Sequence, residues 1–221
     1  MRNLYDTVIW VGTGFILVSL LYSIKSSKTN KYLYLNRFYI ITLITLAISL
    51  NAILGFLLRL YGKTIYVSIQ NVLFFFDLLF WSHFFLKILK RNRKEVKVII
   101  FISVISVFSL RLYLGFFEKN FQVHALSNLS KLILCLFYIN ELFKSNLKLD
   151  LKRDPAFWIV TGLFFYCAIS SPVYAIHSYL ILKLNNDLVG NIFASTNIAI
   201  IIMHLHFIKA CLCSIHPRKA F

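Results

Sequence analysis

Charged residues are scarce in this sequence. They make up 14% of its 221 residues, whereas ordinary soluble domains carry about 25%. Apolar residues make up 59% of the chain, and its mean hydropathy is +0.76. So few charges do not suit the surface of a soluble domain. The composition therefore predicts an integral membrane protein whose first partner is the lipid bilayer.

Motifs that would point to a cofactor are also missing. The sequence contains no haem-attachment motif, no glycine-rich phosphate loop and no low-complexity tract. Among its four cysteines, Cys211 and Cys213 stand two residues apart and face different directions on a helix, so they are not expected to form a disulfide. We therefore predict no cofactor and four reduced cysteines.

The N-terminal apolar run lacks the features of a cleavable signal peptide. It is about 20 residues long, which exceeds the roughly 7–15 residues of a signal h-region. No A-x-A-like cleavage site follows it. The run is therefore predicted to be a first transmembrane helix.

Seven apolar runs are long enough to cross a hydrocarbon core about 30 Å thick, which takes about 20 helical residues. They are 4–24, 38–58, 65–86, 98–117, 121–143, 156–182 and 188–208. The runs are continuously apolar and do not alternate, which favours helices over a barrel. The separators are too short for a soluble domain. The prediction is an all-α, polytopic membrane protein in which residues 1–221 form one domain of seven transmembrane helices.

Basic residues are distributed unevenly between the loops. Of the 24 Lys and Arg residues, 17 lie in the loops after the first, third and fifth runs or in the tail, and five lie on the opposite side. By the positive-inside rule, the N-terminus is expected outside and the C-terminus in the cytoplasm. We expect a multi-pass protein of the bacterial cytoplasmic membrane. Because the basic residues lie in short loops, no nucleic-acid partner is predicted.

Two opposite charges stand near the midpoints of apolar runs, Asp77 in the third and Lys131 in the fifth. A charge at that depth costs at least about 2.5–3.5 kcal/mol unless a partner or a water-filled cavity offsets it. We predict a midplane polar cluster of Asp77, Lys131, Asn128 and, from the seventh run, Asn197. Asp77 is then either a structural group, ion-paired or protonated, or a proton or cation site.

Polar residues recur at helical spacing on the fifth and sixth runs. The stripe on the fifth run consists of His124, Asn128, Lys131, Cys135 and Tyr138. The stripe on the sixth run consists of Gly162, Tyr166, Ser170, Tyr174 and His177. Such stripes avoid lipid and face the bundle or a cavity. The residues predicted to line a pocket are Trp81, Tyr138, Tyr166, Ser170, His177 and Arg111. The alternative for the stripes is a hydrogen-bonded packing seam.

Three local features lead to narrower expectations. Asp154 before Pro155 predicts the start of a helix, and Pro172 predicts a kink or local unwinding. Arg111 lies about 5 Å outward of the centre of the fourth run at 1.5 Å per residue. It is expected to snorkel to the outer interface or to meet Glu118; the alternative is an anchor for an anionic ligand.

The tail contains metal-capable side chains, but no standard zinc spacing. They are His204, His206, Cys211, Cys213 and His216. A zinc site of the common type would pair C-x2-C with H-x3-H. The tail is therefore interpreted as a frayed helix end at the membrane surface, and a metal site is not predicted.

Segment 154–166, DPAFWIVTGLFFY, resembles a D/N-P-x-F-W-x-x-x-G-x-L-x-Y pattern of uncharacterised bacterial seven-helix membrane proteins. It is similar to the membrane-embedded input segments of some bacterial sensor histidine kinases. The resemblance implies a sensory or signalling module. Since the chain stops at Phe221 without a kinase domain, its output is expected to need a cytoplasmic partner.

Three function classes remain. The first is a sensor of an unidentified small ligand or of the membrane state. The second is a small transporter or proton-coupled permease using the Asp77 and Lys131 site. An enzyme is the least favoured, because His124, His177 and His204 are scattered along the chain.

Overall fold

Helices form almost all of the described chain. The computed structural model describes residues 2–29, 35, 37–57, 63–89, 93–115, 121–144, 151–184 and 186–215. The α-helices are α1 (Arg2–Thr29), α2 (Phe38–Leu57), α3 (Lys63–Ile88), α4 (Arg93–Leu114), α5 (Phe121–Lys144), α6 (Pro155–Ala175), α7 (His177–Lys183) and α8 (Asn186–Ile215). A short 3-10 helix, Leu151–Arg153, precedes α6. No strand is present in these ranges, in agreement with the predicted all-α class.

Six of the helices are long and apolar enough to cross a membrane. These segments are Thr7–Lys28, Val67–Ile88, Arg93–Leu114, Phe121–Lys144, Pro155–Ala175 and Leu188–Ile215. The predicted span 38–58 corresponds to α2, whose described side chains form the shorter apolar stretch Phe38–Leu50. The chain thus has the apolar helices of a multi-pass membrane protein, while the count of seven spans stays a prediction.

Long helices that follow one another in the chain run in opposite directions. Contacts that pair early residues with late ones show this: Thr13–Ser49 and Ser23–Thr42 for α1 and α2, Asn71–Arg111 and Phe75–Phe108 for α3 and α4, Asn128–Ser170 and Tyr138–Asp154 for α5 and α6. Gly162–Met203 and Tyr174–Phe193 show it for α6 and α8. Phe38–Trp81 relates the start of α2 to the late part of α3, and Phe74–His124 and Asp77–Lys131 show that α3 and α5 run in the same direction. The first residues of α1, α3, α5 and α8 therefore lie at one end of the bundle, called here the N-terminal side.

The predicted sixth span, 156–182, is wrong in one respect, because the structure divides it into α6 and α7. The chain turns at Ile176, where φ is −95° and ψ is 7°, far from the helical ψ of about −42°. Pro172, predicted to disturb the helix, lies inside α6 one turn earlier, and the Ile176 amide still donates to its carbonyl oxygen at 3.1 Å. Both sides of the turn are apolar, so hydropathy did not reveal it.

The predicted start of α6 is confirmed. Asp154 is its N-cap, accepting from the amide of Ala156 at 3.0 Å, and Pro155 is the first helical residue. The other Asp154 oxygen accepts from the Tyr138 hydroxyl at 2.9 Å. One carboxylate therefore both caps α6 and ties it to the end of α5.

A closely packed cluster of rings fills the half of the bundle away from the N-terminal side. This aromatic cluster consists of Phe38, Trp81, Phe84, Phe85 and Phe207, all buried. Phe38 and Phe207 lie edge to face with ring centroids 5.0 Å apart, and Trp81 lies 5.9 Å from Phe207. Rings from α2, α3 and α8 meet here, so this half of the bundle is closed.

The packing of α6 against α8 depends on a missing side chain. A Cβ added to Gly162 would lie 2.7 Å from the Cβ of His206 and 3.1 Å from the carbonyl oxygen of Met203. The two backbones can approach this closely because glycine has no Cβ, as small residues generally allow between membrane helices.

Candidate functional site

A cavity of about 430 Å³ occupies the half of the bundle on the N-terminal side. Its lining begins near the helix ends, at Phe121 in the first turn of α5 and His177 in α7, and reaches inward to Trp81 and Met203. These last two residues also belong to the packed core. The central cavity, as we call it, therefore ends on the closed half of the bundle. Its volume falls in the usual range for small-molecule sites.

An ion pair lies deep in the central cavity. The Lys131 amine of α5 donates to an Asp77 carboxylate oxygen of α3, and the two residues are 2% and 6% exposed. Both also line the cavity. The pair thus ties two helices together, as the structural interpretation expects, and borders a ligand-sized space, as the functional interpretation expects.

A short hydrogen-bond chain holds Lys131 from behind. The Asn128 amide nitrogen donates to Ser170 Oγ at 2.9 Å, and Ser170 Oγ donates to the Tyr166 carbonyl oxygen at 2.7 Å. The Asn128 side-chain oxygen is left facing the Lys131 amine, at a long 3.5 Å. Asn128 and Ser170 do not appear in the described lining of the cavity, so their part is to position Lys131.

Aromatic and imidazole rings form the outer part of the cavity wall. Phe121 and His177 are stacked with centroids 3.5 Å apart, and Phe74 and His124 are 3.8 Å apart. Phe193 of α8 packs edge to face on His177 at 5.2 Å. The break between α6 and α7 gives His177 its place, because α7 begins with that residue.

Two amide side chains, one from α8 and one from α3, also line the central cavity. Asn197 of α8 lines the cavity together with Asp77 and Lys131, so three of the four predicted midplane residues line the same cavity. Gln70 of α3 also lines it, and within the described ranges its buried side-chain oxygen has no hydrogen-bond partner. Sequence reasoning did not include Gln70 in the site, although its spacing of seven from Asp77 places both on one face of α3.

The residues predicted to line one pocket lie in several places, and Ser170 has already been placed behind Lys131. Trp81, Tyr166 and His177 line the central cavity. Tyr138 lies in the packed core, where it donates to Asp154 as described above. Since helix stripes fix the face and not the depth, Tyr138 shares the stripe of Lys131 without sharing its cavity.

Arg111 also lies away from the central cavity. It does not snorkel outward but is buried, 6% exposed, and donates to the side-chain oxygen of Asn71 at 2.6 Å. The predicted alternative partner, Glu118, lies outside the described residues. Arg111 lines a second cavity of about 220 Å³ between α3, α4 and α5.

The metal-capable tail does not come together in the described part of the chain. There, no group of three or more His, Cys, Asp or Glu side chains is placed to hold a metal ion. His216 lies outside the described residues. His204 is buried against Phe207, with ring centroids 5.1 Å apart.

Comparison with protein-family models, curated proteins and solved structures finds no match to this chain. The resemblance of segment 154–166 to sensor-kinase input segments therefore stays a prediction. The geometry of the central cavity is what supports a function.

Proposed function

We propose that this protein is a membrane receptor. A small molecule enters the central cavity from the N-terminal side and changes the packing of the opposite half of the bundle. The observation that carries this proposal is a cavity of about 430 Å³ that is floored by a buried ion pair and ends on packed aromatic rings. A cavity that ends inside the bundle suits binding and sensing.

The charge of the lining selects the class of ligand. Among the described lining residues, Asp77 and Lys131 are the only carboxylate and the only ammonium group, and each neutralises the other. A ligand with a net charge would lose its hydration without gaining a counter-charge, which is costly in a buried site. The ligand is therefore neutral or zwitterionic, with polar atoms for Gln70 and Asn197 and an apolar body for the rings.

Three side chains connect the ligand space to the closed half. Trp81, Leu163 and Met203 line the central cavity and also belong to the packed core. Closely packed cores respond to displacement by repacking as a unit. A ligand that displaces these side chains would therefore shift α3, α6 and α8, whose far ends would present the change to a cytoplasmic signalling partner.

Intrinsic fluorescence tests ligand binding. The chain has three tryptophans, and replacing Trp10 and Trp158 by Phe leaves Trp81 as the reporter inside the cavity. We expect neutral and zwitterionic compounds from a small-molecule panel to change its emission in a saturable way. Anionic and cationic analogues of those compounds should not. A panel in which charged compounds bind as well as neutral ones would contradict the charge argument.

The alternative function is a small transporter or proton-coupled permease. It is favoured by the position of the ion pair, because carriers hold substrates and coupling ions near the midplane. Uptake of the bound compound into sealed proteoliposomes separates the two functions. A transporter accumulates it and loses that uptake in Asp77→Asn, whereas a receptor binds it with no net uptake.

The orientation in the cell membrane belongs to the same proposal. We expect the N-terminal side to face outward, because the basic loops lie on the other side. In a variant without native cysteines, Lys183→Cys should react with a membrane-impermeant maleimide in intact bacterial cells, and Lys28→Cys only after permeabilisation. Both lysines are exposed. The reverse labelling pattern would invert the topology and contradict ligand access from outside.

A further inference from the structure

A second cavity lies on the side of the bundle, between α3, α4 and α5. It measures about 220 Å³ and is lined mainly by apolar residues. Val72, Phe76 and Phe108 line it and are each about half exposed on the outer surface of the bundle. In a membrane, such a surface faces acyl chains. We call this space the lateral groove.

The charged residue of the lateral groove lies at one end. Arg111 stands in the last turn of α4, and its guanidinium donates to the Asn71 side-chain oxygen at 2.6 Å. Along the axis of α4, Phe108 lies about 4.5 Å nearer the middle of the helix than Arg111, at a rise of 1.5 Å per residue. The groove thus has a cationic side chain near the end of α4 and apolar side chains nearer the middle of that helix.

A second observation points to a ligand. Ser127 of α5 lines the groove and is 4% exposed. Its hydroxyl oxygen has no hydrogen-bond partner within the described residues. A buried hydroxyl without a partner costs free energy, and a bound polar group removes that cost.

We propose that the lateral groove binds one anionic phospholipid of the leaflet on the N-terminal side. Its phosphate accepts from Arg111, a polar ester oxygen accepts from Ser127, and its chain lies across Phe76 and Phe108. Arginine is well suited to phosphate, because its fork of N–H donors matches the phosphate oxygens. Arg111 lies nearer the end of α4 than Phe108 does, as a phosphate lies outside the acyl chains of its phospholipid.

This lipid would also contact the wall of the central cavity. Phe74 and His124 line both spaces, and their ring centroids lie 3.8 Å apart. One pair of rings therefore separates the lipid from the central cavity. The lipid assignment does not depend on the proposed receptor function, because it rests on residues that the central cavity does not use.

Native mass spectrometry of the full chain, released from nanodiscs of defined composition, tests the assignment. We expect the wild type to retain one phosphatidylglycerol and to retain phosphatidylcholine at least about tenfold less. Both lipids carry the phosphate that Arg111 binds, but the choline cation of phosphatidylcholine cancels its charge and leaves no net attraction to the guanidinium. Arg111→Gln should lose the retained phosphatidylglycerol, and Arg111→Lys should keep part of it. The matched control, Arg93→Gln, removes an exposed arginine at the opposite end of α4 and should retain the lipid.

Two further arms keep the assignment open to refutation. Ser127→Ala removes a hydroxyl that has no partner in the described structure, so it should fold normally and retain the lipid several-fold less; it decides the question if Arg111→Gln does not fold. Excess inorganic phosphate should not displace the lipid. Displacement by phosphate would make this a site for a soluble anion, and equal retention of the two lipids, or unchanged retention in both variants, would overturn the proposal.

Discussion

Removing one partner of the buried ion pair should destabilise the bundle much more than removing both. Asp77→Asn keeps the shape of the side chain but leaves the Lys131 amine, 2% exposed, without its carboxylate. Breaking a buried pair in this way typically costs about 3–5 kcal/mol. At about 2–4 °C per kcal/mol for a chain of this size, Tm should fall by about 6–20 °C. Lys131→Met should have a similar effect.

The double variant is the informative one. Asp77→Asn combined with Lys131→Met leaves no uncompensated charge, and replacing a buried pair by neutral groups is often neutral or stabilising. We expect the double variant to lose no more than about 1 kcal/mol, which gives an interaction energy of several kcal/mol in the double-mutant cycle. Asn128, whose side-chain oxygen faces the Lys131 amine, is not substituted in any of these variants.

Thermal unfolding in nanodiscs can be followed with a thiol-reactive fluorogenic dye. Three of the four free cysteines, Cys135, Cys167 and Cys211, are buried and become reactive only when the bundle opens. Glu95→Gln is the control, since it neutralises an exposed acid on α4 and should leave Tm unchanged. The reasoning is refuted if each single variant unfolds with the wild type, or if the double variant loses the sum of the two single losses.

The remaining predictions concern packing and caps, and the same unfolding assay measures them. Gly162→Ala should cost about 1–3 kcal/mol, because its new Cβ would overlap α8; Gly14→Ala, which meets nothing within 4 Å, is the control, and an equal loss there would contradict the packing argument. Asp154→Ala should cost about 1–2 kcal/mol, since it removes the N-cap of α6 and a second hydrogen bond. Tyr138→Phe removes only the hydrogen bond from Tyr138 to Asp154 and should therefore cost less than Asp154→Ala. Equal losses would mean that the N-cap bond to the Ala156 amide does not stabilise the bundle. Ser170→Ala should cost about 0.6 kcal/mol, the average for a hydrogen bond between membrane helices; a loss as large as that of Asp77→Asn would mean that the chain behind Lys131 contributes as much as the ion pair.

Local chemistry in the sequence was enough to predict the helices and one of their contacts. Apolar runs of about 20 residues located the long apolar helices, and Asp154 with Pro155 located the start of α6. Lys131 was predicted as the partner of Asp77 because both are charges at the midpoint of an apolar run, and the structure places them in contact. Each of these inferences depends on a single segment, or on a charge that is costly in lipid wherever its helix stands.

Depth and neighbours along each helix could not be predicted in the same way. Tyr138 and Lys131 share one stripe, yet the first lies in the packed core and the second in the central cavity. Arg111 was expected at the interface, and its place in the lateral groove follows from the approach of Asn71 on another helix. The break at Ile176, which positions His177, left no trace in hydropathy.

The sequence by itself determined that this chain is helical, apolar and built around a pair of buried charges, because composition, helical period and the cost of a charge in hydrocarbon are local properties. Only the tertiary structure decided that one half of the bundle is hollow and the other packed. That difference arises where side chains from separate helices meet: rings from α2, α3 and α8 fill one half, and the side chains described in the other half surround the central cavity. Such contacts depend on how the helices are arranged in space, and the order of residues within each helix does not specify them.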